Sequence, residues 1–212
     1  MKKQLVLQAI LTVVMLVIWV LFYPKLPDTL PAHWDINGNI DRFVQKSLVM
    51  CMLIGLLLLS TMLYVIVPLI DPKRKSYIYS LKNYNRIQLI TFIFFFILNL
   101  MILYTGFHQN ISSPKMVYFF IGALFLFLGN YSASLKQNFF IGIRTPWTLS
   151  DENVWNKTNR KGAQLLVISG ILICLGGFLP GKIPSVITAI CIMIMIVFPF
   201  LYSYWLFRKR NE

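Results

Sequence analysis

Residues 48–70 read LVMCMLIGLLLLSTMLYVIVPLI, 23 positions without an Asp, Glu, Lys or Arg. About 20 such residues carry a helix across the hydrocarbon core of a bilayer. A water-soluble core cannot use that much apolar surface without leaving large exposed patches. Five more stretches qualify or come close: 5–23, 87–107, 116–128, 163–179 and 183–207, all equally free of charge. The stretch at 116–128 is short. It reaches span length by running on through Gly129, Asn130 and Tyr131 to about Leu135; a re-entrant segment is the alternative. The first stretch has 19 residues, long for a signal-peptide core, and no small-x-small cleavage site follows it. It reads as an uncleaved span.

Composition agrees. Of 212 residues, 58% are hydrophobic and 13% charged, with mean hydropathy +0.69. This excludes a soluble domain, a disordered tail and a secreted disulfide scaffold. The expected fold class is an all-α polytopic membrane protein with six transmembrane helices. Three regions follow: 1–70 with two spans and an outer loop, 71–115 with the third span behind a basic loop, and 116–212 with three spans and the longest loop. Pumps and ion-coupled transporters usually carry an ionisable group at membrane depth, and these spans have none. Asn99, the most polar residue deep in a span, is expected to make an interhelical hydrogen bond. Cys51, Cys174 and Cys191 lie in apolar spans and read as packing residues.

The net charge of +13 is explained by topology. With six spans, fifteen Lys and Arg fall on the face holding both termini and the second and fourth loops, against five on the other. Cytoplasmic loops carry such an excess, so both termini are expected in the cytoplasm. Anionic membrane lipids are then the partners of the basic charge, and no direct nucleic-acid binding is implied.

The outer loop begins with Pro24, Pro27 and Pro31, which favour an extended, stiff chain. Asn37-Gly38, flanked by Ile36 and Ile40, signals a turn or small hairpin. His33, Asp35 and Asp41 invite a metal reading, but with Asp35 as first ligand an EF-hand loop needs glycine at 40 and glutamate at 46, where Ile40 and Lys46 stand. Aspartates capping the turn, with Trp34 and Phe43 at the interface, account for the loop. Neither a metal nor a cofactor is expected, and no catalytic residue is assigned.

The fourth loop, about 130–162, includes Gln137-Asn138-Phe139-Phe140-Ile141-Gly142-Ile143-Arg144-Thr145-Pro146-Trp147-Thr148-Leu149. Ser150 is a candidate N-cap, Asp151 and Glu152 suit the first turn, and a short helix is expected from about Asp151. Trp155 and Asn159 would share one face of it. The loop has too few glycines for a phosphate site. One reading is a rigid interfacial loop with Trp147 and Trp155 at headgroup depth and Arg144, Lys157 and Arg160 on lipid phosphates. The other is a docking surface for a cytoplasmic partner.

The run from Ile141 to Leu149, continuing through Trp155 to Asn159 and Arg160, resembles the signature of the SdpI family of bacterial toxin-immunity membrane proteins. The outer segment from Leu30 to Phe43 is similar to the DUF1648 region often found at the start of such proteins. Lys161 departs from the pattern, being basic where it is apolar. The resemblance implies a multi-pass cell-membrane protein that protects a Gram-positive producer from a secreted killing peptide. It further implies that a toxin-engaged member holds a small DNA-binding autorepressor at the membrane. On this reading Pro31, His33, Trp34, Asp35, Asn37, Gly38, Asp41, Arg42 and Phe43 face the toxin. Asn138, Gly142, Arg144, Thr145, Pro146, Trp147, Trp155, Asn159 and Arg160 form the partner-docking loop. The rival readings are an envelope-stress or lipid-organising protein, a small-solute or peptide transporter, and an enzyme built on His33, Asp35 and Asp41.

Overall fold

The computed structural model describes residues 1–36, 39–108 and 114–211. Its described elements are α1 (Lys2–Phe22), a 3₁₀ turn (Tyr23–Lys25), β1 (Thr29–Trp34), β2 (Ile40–Gln45), α2 (Lys46–Ile70), α3 (Lys75–Tyr79), α4 (Leu81–Phe107), α5 (Pro114–Ser132), α6 (Pro146–Ser150), α7 (Glu152–Gly176) and α8 (Ile183–Asn211). The six long helices alternate in direction. One end of the bundle carries the β1–β2 hairpin. The other carries α3, α6 and the 133–151 connection; these are called the hairpin end and the loop end below.

Among the described residues, four helices are long and apolar enough to cross a membrane: α1, α2, α4 and α8. α5 is a shorter apolar helix. It is continuous through Gly129, Asn130 and Tyr131 but stops at Ser132, short of the expected Leu135. Its 19 residues span about 28 Å, close to the thickness of a hydrocarbon core. The apolar stretch 163–179 is not a helix of its own. It is mostly the second half of α7, whose first turns are polar, so the short helix expected from Asp151 runs on for 25 residues.

The packing is inside-out relative to a soluble protein. On α1 the buried residues are Gln8, Thr12, Met15 and Trp19, while Val6, Ile10, Val13, Val17 and Val20 are exposed. Apolar side chains exposed along a helix are what a bilayer favours, while polar ones turn toward the other helices. Asn99 does what its position requires. Its Oδ1 accepts from Trp19 Nε1 at 2.9 Å, and its Nδ2 donates to Leu53 O at 3.3 Å and Phe95 O at 2.9 Å. One amide thus ties α1, α2 and α4 together, at roughly 0.6–1.7 kcal/mol for such a bond.

The core of the first three long helices continues into the hairpin through Leu26 and Leu30. The second layer is α5, α7 and α8. Gly122 on α5 faces Gly170 on α7 so closely that a Cβ on Gly170 would lie 2.6 Å from the Gly122 carbonyl oxygen. Small residues permit this approach of two backbones. Cys51, Cys174 and Cys191 are free thiols, with Cys51 exposed on the outer face of α2 and Cys191 buried.

Candidate functional site

At the hairpin end, β1 and β2 pair antiparallel, with Leu30 opposite Val44, Pro31 opposite Phe43 and His33 opposite Arg42. The expected hairpin is present, although its turn residues Asn37 and Gly38 lie outside the described residues. Pro24 departs from the extended reading, since it sits in the 3₁₀ turn, whose φ suits proline equally well. Asp35 closes the turn by accepting from Asn39 N at 2.8 Å. His33 Nδ1 lies 2.6 Å from Asp41 Oδ1, both side chains exposed. Lys46 anchors the strand ends, donating to Leu26 O at 3.1 Å beside Asp28 at 3.3 Å.

The hairpin is strapped to the second layer. Ser185 Oγ donates to Ile36 O at 2.7 Å and lies 2.7 Å from Tyr118 Oη. Between hairpin, α5 and α8 is an open cleft of about 500 Å³ lined by His33, Trp34, Asp35, Tyr118, Ser185 and Thr188, among others. The sequence reading named the first three. Pro31 is buried, and Asp41 pairs with His33, whereas Arg42 and Phe43 project from β2 without lining this cleft. Tyr118, Ser185 and Thr188 were missed. Their signal is weak: two hydroxyls three residues apart at the start of an apolar helix.

At the loop end, the signature residues fold the connection onto itself. Asn138 is buried; its Oδ1 accepts from Phe140 N at 2.9 Å and Ile141 N at 2.7 Å and lies 3.2 Å from Tyr77 Oη. Gln137 Nε2 donates to Thr148 O at 2.6 Å and Leu149 O at 2.9 Å, and its Oε1 accepts from Lys73 Nζ. Gly142 has φ +115°, and a Cβ there would meet Asn159 Oδ1 at 2.7 Å. That close approach lets Asn159 Oδ1 accept from Ile143 N at 2.8 Å. Thr145 and Thr148 form a reciprocal capping box that starts α6, and Thr145 Oγ1 donates to Ser203 Oγ on α8 at 3.0 Å.

Asp151, not Ser150, caps α7. It accepts from Asn153 N at 2.7 Å and Val154 N at 3.0 Å, because Ser150 is already the last residue of α6. Arg210 from α8 reaches the same carboxylate at 2.5–2.6 Å. Trp155 faces the protein interior and not lipid headgroups: it is fully buried and donates from Nε1 to Leu135 O at 2.8 Å. Trp147 is half-buried, edge-on to Phe200 and tilted against Tyr204, with ring centroids 5.0 Å apart in each pair.

Asp71, buried at the end of α2, holds the loop to α3. It accepts from Lys73 N at 2.7 Å, Tyr77 Oη at 2.7 Å and Phe139 N at 2.9 Å. Burial, with the Asp71 carboxylate beside it, pushes the Tyr77 phenol well above the usual tyrosine range. Of the expected docking residues, Asn138, Thr145, Trp155 and Asn159 are buried framework. Arg144, Pro146 and Arg160 are exposed, and Arg144 donates to Phe139 O at 2.8 Å.

Residues 134–203 match the family described as the SdpI/YfhL protein family. Residues 10–59 match DUF1648, a domain of unknown function. Over 193 residues the chain is 26% identical to the Immunity protein SdpI of Bacillus subtilis (strain 168), covering 91% of this chain and 90% of that protein. No solved structure matches. The SdpI-type segment starts beside the buried Leu135 and ends at Ser203, the residue that receives the Thr145 hydroxyl. It therefore contains both halves of that contact between connection and α8.

Proposed function

We propose that this chain protects a Gram-positive producer from a secreted, membrane-active peptide. The observation that carries the reading is similarity to an immunity protein along 91% of the chain, hairpin, connection and helices together. The cleft formed by hairpin, α5 and α8 supports it, as an aromatic and polar recess where a peptide arriving from outside first meets the protein. The accompanying topology has six crossings, the hairpin outside and both termini in the cytoplasm, in line with the distribution of Lys and Arg. The test is survival. The chain is expressed in a toxin-sensitive, immunity-deleted Gram-positive host, which is challenged with an SdpC-type peptide and with any peptide encoded beside its gene. Protection is expected; no protection from either, with the protein verified in the membrane, refutes the reading.

A finer reading adds capture of a small DNA-binding repressor at the loop end. The exposed Arg144 and Arg160, mounted on a hydrogen-bonded frame, favour it. Arg144→Glu with Arg160→Glu should abolish repressor recruitment to the membrane and leave survival unchanged. Loss of both together would show that the two faces are not separate.

A further inference from the structure

The polar first turns of α7 carry Lys157, Arg160 and Lys161, all exposed. None of the three meets a carboxylate among the described residues. Asp151 is taken by Arg210, and Glu152 stands five residues before Lys157, off its face of the helix. Lys157 and Lys161 are four apart, a like-charge spacing that destabilises a helix and that an anion between them would turn favourable.

These three cations, with Gln164 and with Tyr202 from α8, line a cleft of about 250 Å³. Arg160 and Gln164 also line a second cleft, of about 490 Å³, between α5 and α7, together with Gly129, Asn130, Val167 and Ile168. The two clefts therefore meet along that edge of α7. A Cβ on Gly129 would lie 2.7 Å from the Ala163 carbonyl oxygen, so small residues at this crossing leave a trough between the helices.

The depths match a lipid. The apolar stretch of α7 begins at residue 163. Arg160 lies about 4.5 Å and Lys157 about 9 Å on the polar side of that boundary, and Val167 and Ile168 about 6–8 Å on the apolar side. A headgroup layer is about 5–8 Å thick. Across the first cleft, Tyr202 stacks on the exposed Trp205 with centroids 6.0 Å apart, and Lys209 Nζ lies 5.3 Å from the Trp205 ring centroid. Tyrosine and tryptophan concentrate at this level of a membrane.

We propose that the two clefts form one site for an anionic phospholipid, with its phosphate between Lys157 and Lys161 and an acyl chain in the α5–α7 trough over Val167 and Ile168. Charge complementarity selects the headgroup, since three cations face it and no acid does. Basic residues elsewhere at this end attract anionic lipid diffusely. Here a seat for the head joins a trough for the tail. Nothing in this assignment depends on the immunity reading.

The test uses the full chain, stripped of lipid in detergent and titrated under native mass spectrometry. Phosphatidylglycerol should add one lipid saturably. Phosphatidylcholine with the same chains should bind about tenfold more weakly, and glycerol phosphate, a head without a tail, should not bind. Lys157→Gln with Lys161→Gln should weaken phosphatidylglycerol about tenfold or more. Lys75→Gln with Lys82→Gln removes the same charge from exposed positions at the same end and should leave binding unchanged. Arg160 stays intact, so lipid binding and repressor recruitment are read separately. A phosphatidylglycerol with a diazirine near the start of its acyl chain should label the α7 peptide holding Val167 and Ile168. No weakening in either double variant, equal weakening in both, or labelling spread evenly over the helices leaves only diffuse attraction and overturns the proposal. Equal binding of glycerol phosphate makes this a soluble-anion site and overturns it as well.

Discussion

Asn159 shows how one side chain sets a loop. Its amide accepts from Ile143 N and donates to Trp155 O at 3.1 Å, all within a buried patch. Asn159→Ala strands those groups and should cost about 1–3 kcal/mol, read as a lower melting temperature in detergent and a lower steady-state level in cells. Tyr77 makes a different prediction. Its proton is held more tightly in the folded protein than in the unfolded chain, where the phenol titrates near 10. Above that pH the unfolded chain has released the proton and the folded one has not, so stability falls as pH rises. The contribution is complete below about pH 10 and drains away through higher pH. Melting temperature followed from pH 8 upward should therefore decline more steeply in the parent than in Tyr77→Phe, although the variant starts lower for want of the bond to Asp71.

Helix pairing is governed by where glycines meet a neighbour. Gly170→Ala would drive a methyl to 2.6 Å from the Gly122 carbonyl oxygen, so α5 and α7 must separate. Overpacking of this kind costs about 1–3 kcal/mol. Gly55, on α2, has open space around it, and Gly55→Ala should be neutral or stabilise by about 0.5–1 kcal/mol. Thermal denaturation of the two variants side by side distinguishes packing from helix propensity; equal effects would contradict the close contact. The helices themselves were legible, because uncharged runs such as 48–70 have no other stable form. Their ends were not. α5 stops at Ser132, short of the expected Leu135, and α7, starting near the expected Asp151, runs on to Gly176; no local pattern announces Ser203 or Arg210 as the distant partners of Thr145 and Asp151.

For the molecule as a whole, reporter fusions after residue 80 and after α8 should read cytoplasmic, and one after residue 38 external. The opposite pattern, or a mixed one, would remove the topology on which the proposed division of faces rests. The positions of the candidate site residues were legible only in part. His33, Trp34 and Asp35 were readable because polar and aromatic residues in a short loop stand out. The cleft itself was not, since its other walls come from α5 and α8, more than 80 residues away in sequence. At the loop end the motif was conspicuous, but its pattern did not show that Asn138, Thr145, Thr148 and Asn159 are buried and brace the chain. The contacts from α8 carry a further consequence, for biogenesis. Ser203 completes the Thr145 cap and Arg210 clamps Asp151, so the connection leaves the ribosome long before it can be finished. During synthesis it waits as an unlatched segment while the last helix is made and inserted. An insertion fault in α8 alone would therefore leave the connection, 58 and 59 residues upstream of Ser203 and Arg210, open to proteases, and a defect in one helix would be read by the cell's quality control as a defect in another.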